Sequence, residues 1–147
     1  VDLSEIAGEV FELYEPLADD AGLQLLLEAD VPAPVHANRA LLNQALVNLL
    51  DNAIKYGATA DKPIVSITTT VSGENAILSV TDNGSGIPLE DKERVFERMV
   101  RLDKSRTEKG SGLGLSLVRA IAGMHDGKVT LADADPGLIA QIVLPRG

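Results

Sequence analysis

Asn48, Asn52 and Lys55 stand at i, i+4 and i+7, a spacing that puts all three in one row of a helix. Two carboxamides and an ammonium in a row can hold a hydrated cation with its phosphate, amide oxygen to the metal and ammonium to the anion. Mg²⁺ commonly takes only one or two protein oxygens, so a sparse set suffices; taken alone, the spacing reads first as a solvated helix face. Asp82-Asn83-Gly84-Ser85-Gly86 sets a carboxylate ahead of two glycines. It reads either as a turn or as an acceptor for an amino group, with glycines that let a ring approach the backbone. Gly110-Ser111-Gly112-Leu113-Gly114-Leu115 is either a linker before a capped helix or a glycine-freed helix N-terminus that binds an anion. Between these motifs, residues 98–109 set Arg98, Arg101, Lys104, Arg106 and Lys109 against Asp103 and Glu108. That surplus suits a phosphate lid over residues 98–112, or a solvated run.

The elements that must position these residues follow from periodicity. Leu3, Ile6, Val10, Leu13 and Leu17 recur at three- and four-residue spacing, which predicts an amphipathic helix over 3–19. Pro16 predicts a kink or an early end. A short apolar run, Leu23–Ala29, predicts a strand, and Pro32-Ala33-Pro34 a loop. Leu42, Ala45, Leu46, Leu49, Leu50 and Ala53 predict a second helix over 39–56, carrying the Asn–Asn–Lys row. Residues 64–71 and 76–82 alternate and are β-branched, with Ser72-Gly73-Glu74-Asn75 between them as a hairpin loop. A long glycine-rich stretch, 83–112, precedes a third helix. Two closing strands, 127–132 and 138–144, flank Asp135-Pro136-Gly137. Strands joined by short turns predict an α+β fold with a mixed, mostly antiparallel sheet and helices on one face. A Rossmann unit and a P-loop are both excluded, because neither fingerprint occurs.

Composition narrows the chemistry. The 147 residues include no cysteine, which removes disulfides, Cys-ligated zinc and a thiol nucleophile together. No apolar run has the length of a transmembrane helix. These features predict a soluble domain of a reducing compartment. The net charge is −9. Residues 1–38 hold nine acidic residues and no Lys or Arg, while the remainder is formally neutral. Such a chain is a poor general binder of nucleic acid or anionic membrane, so a polyanion would need a local device.

Taken together, Asn48-Leu-Leu-Asp-Asn52-Ala-Ile-Lys55-Tyr56, Asp82-x-Gly84-x-Gly86 and Gly110-x-Gly112-x-Gly114-Leu115 resemble the N, G1 and G2 boxes of the GHKL ATPase superfamily. More closely, they resemble the catalytic ATP-binding domain of bacterial sensor histidine kinases. Val95-Phe96-Glu97-Arg98-Met99-Val100-Arg101 looks like the F box, and His125-Asp126-Gly127-Lys128-Val129 like the family's strand entry. The likeness spans nearly all of residues 1–147 as one domain, without a dimerisation and phosphoacceptor domain.

The resemblance implies a Bergerat-type α/β sandwich: about five strands, three helices on one face, and an ATP lid. ATP and Mg²⁺ are the implied substrate and cofactor. Asp82 would bond the adenine amino group, helped by Gly86, with Gly84 and Ile87 beside them. Asn52 would be the main Mg²⁺ ligand and Asn48 the second. Lys55 and Tyr56 would contact phosphates, wrapped by Gly110, Ser111, Gly112, Leu113, Gly114 and Leu115. Arg101 would face the γ-phosphate, and catalysis would rest on Asn48, Lys55 and Arg101.

Two departures stand out. Met99 replaces the second F-box aromatic, and Asn38 replaces an acidic residue before the second helix, where it reads as a helix cap. Hydrolysing relatives carry a glutamate where this chain has Asn48. A carboxylate takes a proton from water and a carboxamide does not, so the reading favours transfer to a protein over hydrolysis. The implied acceptor is a histidine on a separate dimerisation domain, with relay to the receiver domain of a response regulator. Neither His36 nor His125 has an acceptor's setting; both read as surface or turn residues. The implied setting is cytoplasmic, the full-length protein anchored in the inner membrane, with no direct membrane contact by this domain. An anti-sigma-factor-type serine kinase and a nucleotide-dependent interaction module are the alternatives.

Overall fold

The computed structural model describes residues 1–57, 62–84, 113–133 and 137–146. Helix α1 (Leu3–Asp20) begins at Asp2, whose Oδ1 accepts the Ser4 N–H at 2.9 Å. Pro16 does not end it. The hydrogen bond that proline forfeits is to the carbonyl of Glu12, and both residues are exposed, so the loss falls on the solvent side of the helix. The apolar row also departs from the expected one. Leu3, Ile6 and Val10 are buried, but Leu13 and Leu17 are 65% and 56% exposed, and Ala18 turns inward instead. Gly22, at φ +76°, ends the helix: its N–H reaches Asp19 O and the Leu23 N–H reaches Ala18 O at 2.9 Å, the paired bonds of a Schellman motif.

Strand β1 (Gln24–Glu28) is followed by α2 (Arg39–Gly57), the hairpin β2 (Ile64–Ser72) and β3 (Asn75–Asp82), then α3 (Leu113–Met124), β4 (Lys128–Asp133) and β5 (Leu138–Pro145). The strand order is β1-β2-β3-β5-β4. Only β1–β2 is parallel, joined through α2 as a parallel pair requires. The sheet is therefore mixed and mostly antiparallel, with three helices among the described residues. Alternation sends Leu25, Val65, Ile67, Ala76, Leu78, Val80, Ala140 and Ile142 to one core with Ile6, Leu42, Leu46, Leu49, Val118 and Ile121. Asn38 caps α2: its Oδ1 accepts the Leu41 N–H at 3.0 Å. Among the described residues, no helix is long and apolar enough to cross a membrane.

This topology fixes the site. The register pairs Val65 with Asp82 and Asp82 with Leu138. Asp82, the last residue of β3, thus sits mid-sheet at a strand end, flanked by the starts of β2 and β5, and α2 lies above it.

Candidate functional site

Asp82 and Asn52 are both buried, 3% and 6% exposed, and among the described residues share the buried polar set only with Thr69 and Ser79. They line one cavity with Leu49 and Ala53 of α2, Val80 of β3, Leu115 of α3, and Leu138 and Ala140 of β5. Six of these eight linings are apolar, and the two polar groups converge from helix and sheet. Apolar walls with a few placed polar groups are the make-up of a small-molecule site.

Both polar groups are buried at a cost. Asp82 Oδ1 accepts the Gly84 N–H at 2.8 Å. Burial pushes its carboxyl above the ordinary value of 3.8, and the backbone N–H groups of Gly84 and Leu138 offset this only in part. Asn52 Nδ2 donates to the carbonyl of Asn48 at 2.9 Å. A carbonyl only accepts, so the amide's orientation follows from the bond. Its Oδ1 is left buried with no hydrogen-bond partner among the described residues, a cost of about 1–3 kcal/mol in most proteins. An orphaned carboxamide oxygen is a hard donor of the kind Mg²⁺ takes, so the residues present fit that ion. Asn48, half-buried one turn earlier, is bound through its backbone carbonyl.

Two residues hold the carboxylate in place that the sequence does not single out for this. Asn83 Oδ1 accepts the Ile64 N–H at 2.8 Å, and its Nδ2 donates to Lys62 O at 3.0 Å, tying the end of β3 to the start of β2. Gly137 lies at φ +105°, and a Cβ there would stand 1.8 Å from the Asp82 carbonyl oxygen. No side chain fits. Its glycine signal reads as a hairpin turn; the pairing of β5 with β3 is what makes it part of the site. The apolar linings Leu49, Ala53, Val80, Leu138 and Ala140 read from sequence only as core.

The structure thus brings together Asn48, Asn52, Asp82, Gly84 and Leu115. Lys55, Tyr56, Leu113 and Gly114 belong to α2 and α3, but their side-chain surroundings lie outside the described residues, as do Gly86, Ile87, Arg101, Gly110, Ser111, Gly112 and the expected lid.

Residues 37–147 match the family model described as Histidine kinase-, DNA gyrase B-, and HSP90-like ATPase. The chain belongs to this family. Within it, the sensor-like histidine kinase SenX3 of Mycobacterium tuberculosis strain H37Rv is 40% identical over 131 residues, 88% of this chain and 32% of SenX3. The adaptive-response sensory kinase SasA of Crocosphaera subtropica is 40% identical over 92% of this chain and 35% of its own length. The catalytic domain of histidine kinase ThkA, nucleotide-free, superposes with a TM-score of 0.81 at 30% identity, covering 98% of this chain and 94% of that one. A structure of ThkA in complex with the response regulator protein TrrA gives 0.79 at 27% identity, covering all of this chain and 41% of that one. This chain is thus a catalytic ATP-binding domain of the histidine-kinase type, and it spans about a third of the length of relatives such as SenX3 and SasA.

Proposed function

We propose that this histidine-kinase domain binds Mg·ATP and donates the γ-phosphate to a histidine on a separate dimerisation domain, for relay to a response regulator's receiver domain. The observation that carries the reading is the pair of buried groups, the Asp82 carboxylate and the unpartnered Asn52 oxygen, in one apolar pocket. The walls Leu49, Ala53, Val80, Leu138 and Ala140 exclude water from both faces of a planar base. Asp82 accepts the exocyclic amino group, and that charge-assisted bond relieves the cost of burying a carboxylate. Asn52, helped by Asn48, directs its free amide oxygen to the cation. A bound Mg²⁺ would supply charge neutralisation at the phosphates and polarise the transferring group.

Asn48 is where the chemistry divides. A carboxamide orients but takes no proton, so Asn48 gives an attacking water no base and the phosphoryl group waits for a nucleophile from a partner. The likeness to ThkA, which has been seen with the response regulator TrrA, supports a receiver domain as the next acceptor. Incubation with γ-labelled ATP should leave the isolated domain unlabelled at His36 and His125. Adding the matching dimerisation domain should give acid-labile, base-stable phosphohistidine on that partner. Stoichiometric label on His36 or His125 of the domain alone would refute the reading.

A further inference from the structure

His125 is a turn residue, yet its ring is engaged on both sides. Nδ1 lies 2.8 Å from the carbonyl of Ile121, and Nε2 lies 3.1 Å from the backbone nitrogen of Asn38, 87 residues away in sequence. A carbonyl only accepts and a backbone amide only donates. The tautomer is therefore dictated: Nδ1 carries the proton and donates to Ile121 O, while unprotonated Nε2 accepts from Asn38.

Each contact falls at a helix end. Ile121 is in the last turn of α3, and Asn38 is the cap of α2. The ring thus joins the carbonyl end of one helix to the amide end of the other, where the helix dipoles are respectively negative and positive. Only a neutral ring serves both: an imidazolium would turn an N–H, and a positive charge, toward the donor of Asn38. The backbone holds the ring to this place. Asp126 takes φ +60°, its N–H reaches Gly123 O, and the Gly127 N–H reaches Ala122 O at 2.8 Å, the Schellman pair that ends α3. A Cβ at Gly127 would stand 2.3 Å from Val143 O, so the turn is pressed against β5.

The consequence reaches the pocket. The N-terminus of α2 meets the C-terminus of α3, so the two helices run antiparallel, and their opposite ends supply Leu49, Asn52 and Ala53 on one side and Leu115 on the other. Asn52 is fourteen residues, about 21 Å, along α2 from Asn38. We infer that His125 is a positioning residue for the nucleotide pocket: its neutral Nδ1–H tautomer fixes the spacing and register of the two helices that wall it. This rests on the nucleotide reading above.

Two measurements on the 147-residue domain test it. Nitrogen-15 spectra of the His125 ring at pH 8 should show Nδ1 protonated and Nε2 unprotonated. Calorimetric titration with ADP, at a temperature where every variant is folded by circular dichroism, should show His125→Ala weakened about three- to tenfold, because pocket walls left loose must be ordered on binding. His125→Gln, which returns an acceptor oxygen near the Nε2 position, should stay within about twofold of the parent. A protonated Nε2, a His125→Ala affinity within twofold of the parent, or a His125→Gln as weak as His125→Ala would each overturn the inference. A parent domain that bound no ADP would overturn it along with the nucleotide reading, a result told apart by the ring spectrum, which reports the tie without ligand.

Discussion

Asp2 and Asp82 are the same residue type at two ends of the fold, and the protein treats them in opposite ways. Burial pushes Asp2 up, but the N–H of Ala33 and the hydroxyl and N–H of Ser4 outweigh it and hold the carboxyl below 3.8. Burial pushes Asp82 up as well, and the N–H groups of Gly84 and Leu138 do not cancel it. The charge on Asp2 works for the fold: it caps α1 and pins the loop that carries Ala33. The charge on Asp82 works against the fold, and a donor from outside would relieve it. Asn52 repeats the second pattern with its orphaned oxygen. Thr69 Oγ1, in β2, is buried without a partner as well, but it does not line the pocket; a group left short holds a place for a ligand only where it faces one.

The largest effect expected is at Gly137, which keeps the Asp82 end open. Gly137→Ala adds a Cβ 1.8 Å from the Asp82 carbonyl oxygen at φ +105°. Backbone strain and overpacking together should cost about 2–6 kcal/mol, read as a drop in urea midpoint. Asn52→Ala should sharpen the contrast differently. It removes the orphaned oxygen along with the bond to Asn48, so stability should move by less than about 1 kcal/mol, while Mg²⁺ should no longer raise the affinity for ATP in titrations with and without the ion.

At the saturated end, Asp2→Ala should cost about 1–2 kcal/mol, as for other helix caps. The sign of its pH dependence follows from the lowered value. The stabilisation is present above pH 3.8 and is lost as pH falls through the folded value, so parent and variant should converge in acid melts. The smallest effect concerns the half-buried Tyr14, whose hydroxyl donates to Asp51 Oδ1 at 3.1 Å. Burial first, then the charge and hydrogen bond of Asp51, push Tyr14 up to about 12. Its contribution, at most about 1 kcal/mol, is full below pH 10 and lost as pH rises through 12. With Tyr56 the only other tyrosine, Tyr14→Phe should delete the high-pH step from the phenolate absorbance titration.

Local periodicity made the elements legible: three helices, five strands and the β2–β3 hairpin follow from apolar spacing that the core then uses. It did not show which residues of the last turns of α1 face the core. Leu13 and Leu17 continue the apolar spacing but face solvent, while Ala18 beside Leu17 is buried; exposed leucines are common enough that spacing alone does not fix the face. Pro16 misleads for a related reason, since its lost hydrogen bond falls on the wet side of the helix. In the site, Asn48, Asn52, Asp82 and Gly84 were legible through type and spacing within short segments. Gly137, Asn83 and His125 were not, because each acts on backbone brought near by the sheet order or by helix pairing. No window of sequence contains both halves of those contacts.

The measurement that tests the central claim most directly pairs calorimetric titration of Asp82→Asn with Mg·ADP against its thermal melt at pH 7. The variant keeps an oxygen to accept the Gly84 N–H but removes the buried charge, whose destabilising effect sets in as pH rises above 3.8. The expected result is a melting temperature equal to or above that of the parent, with affinity about ten- to a hundredfold weaker, the loss of one charge-assisted hydrogen bond. Affinity within twofold of the parent, or a loss of affinity matched by a loss of stability, would contradict the account.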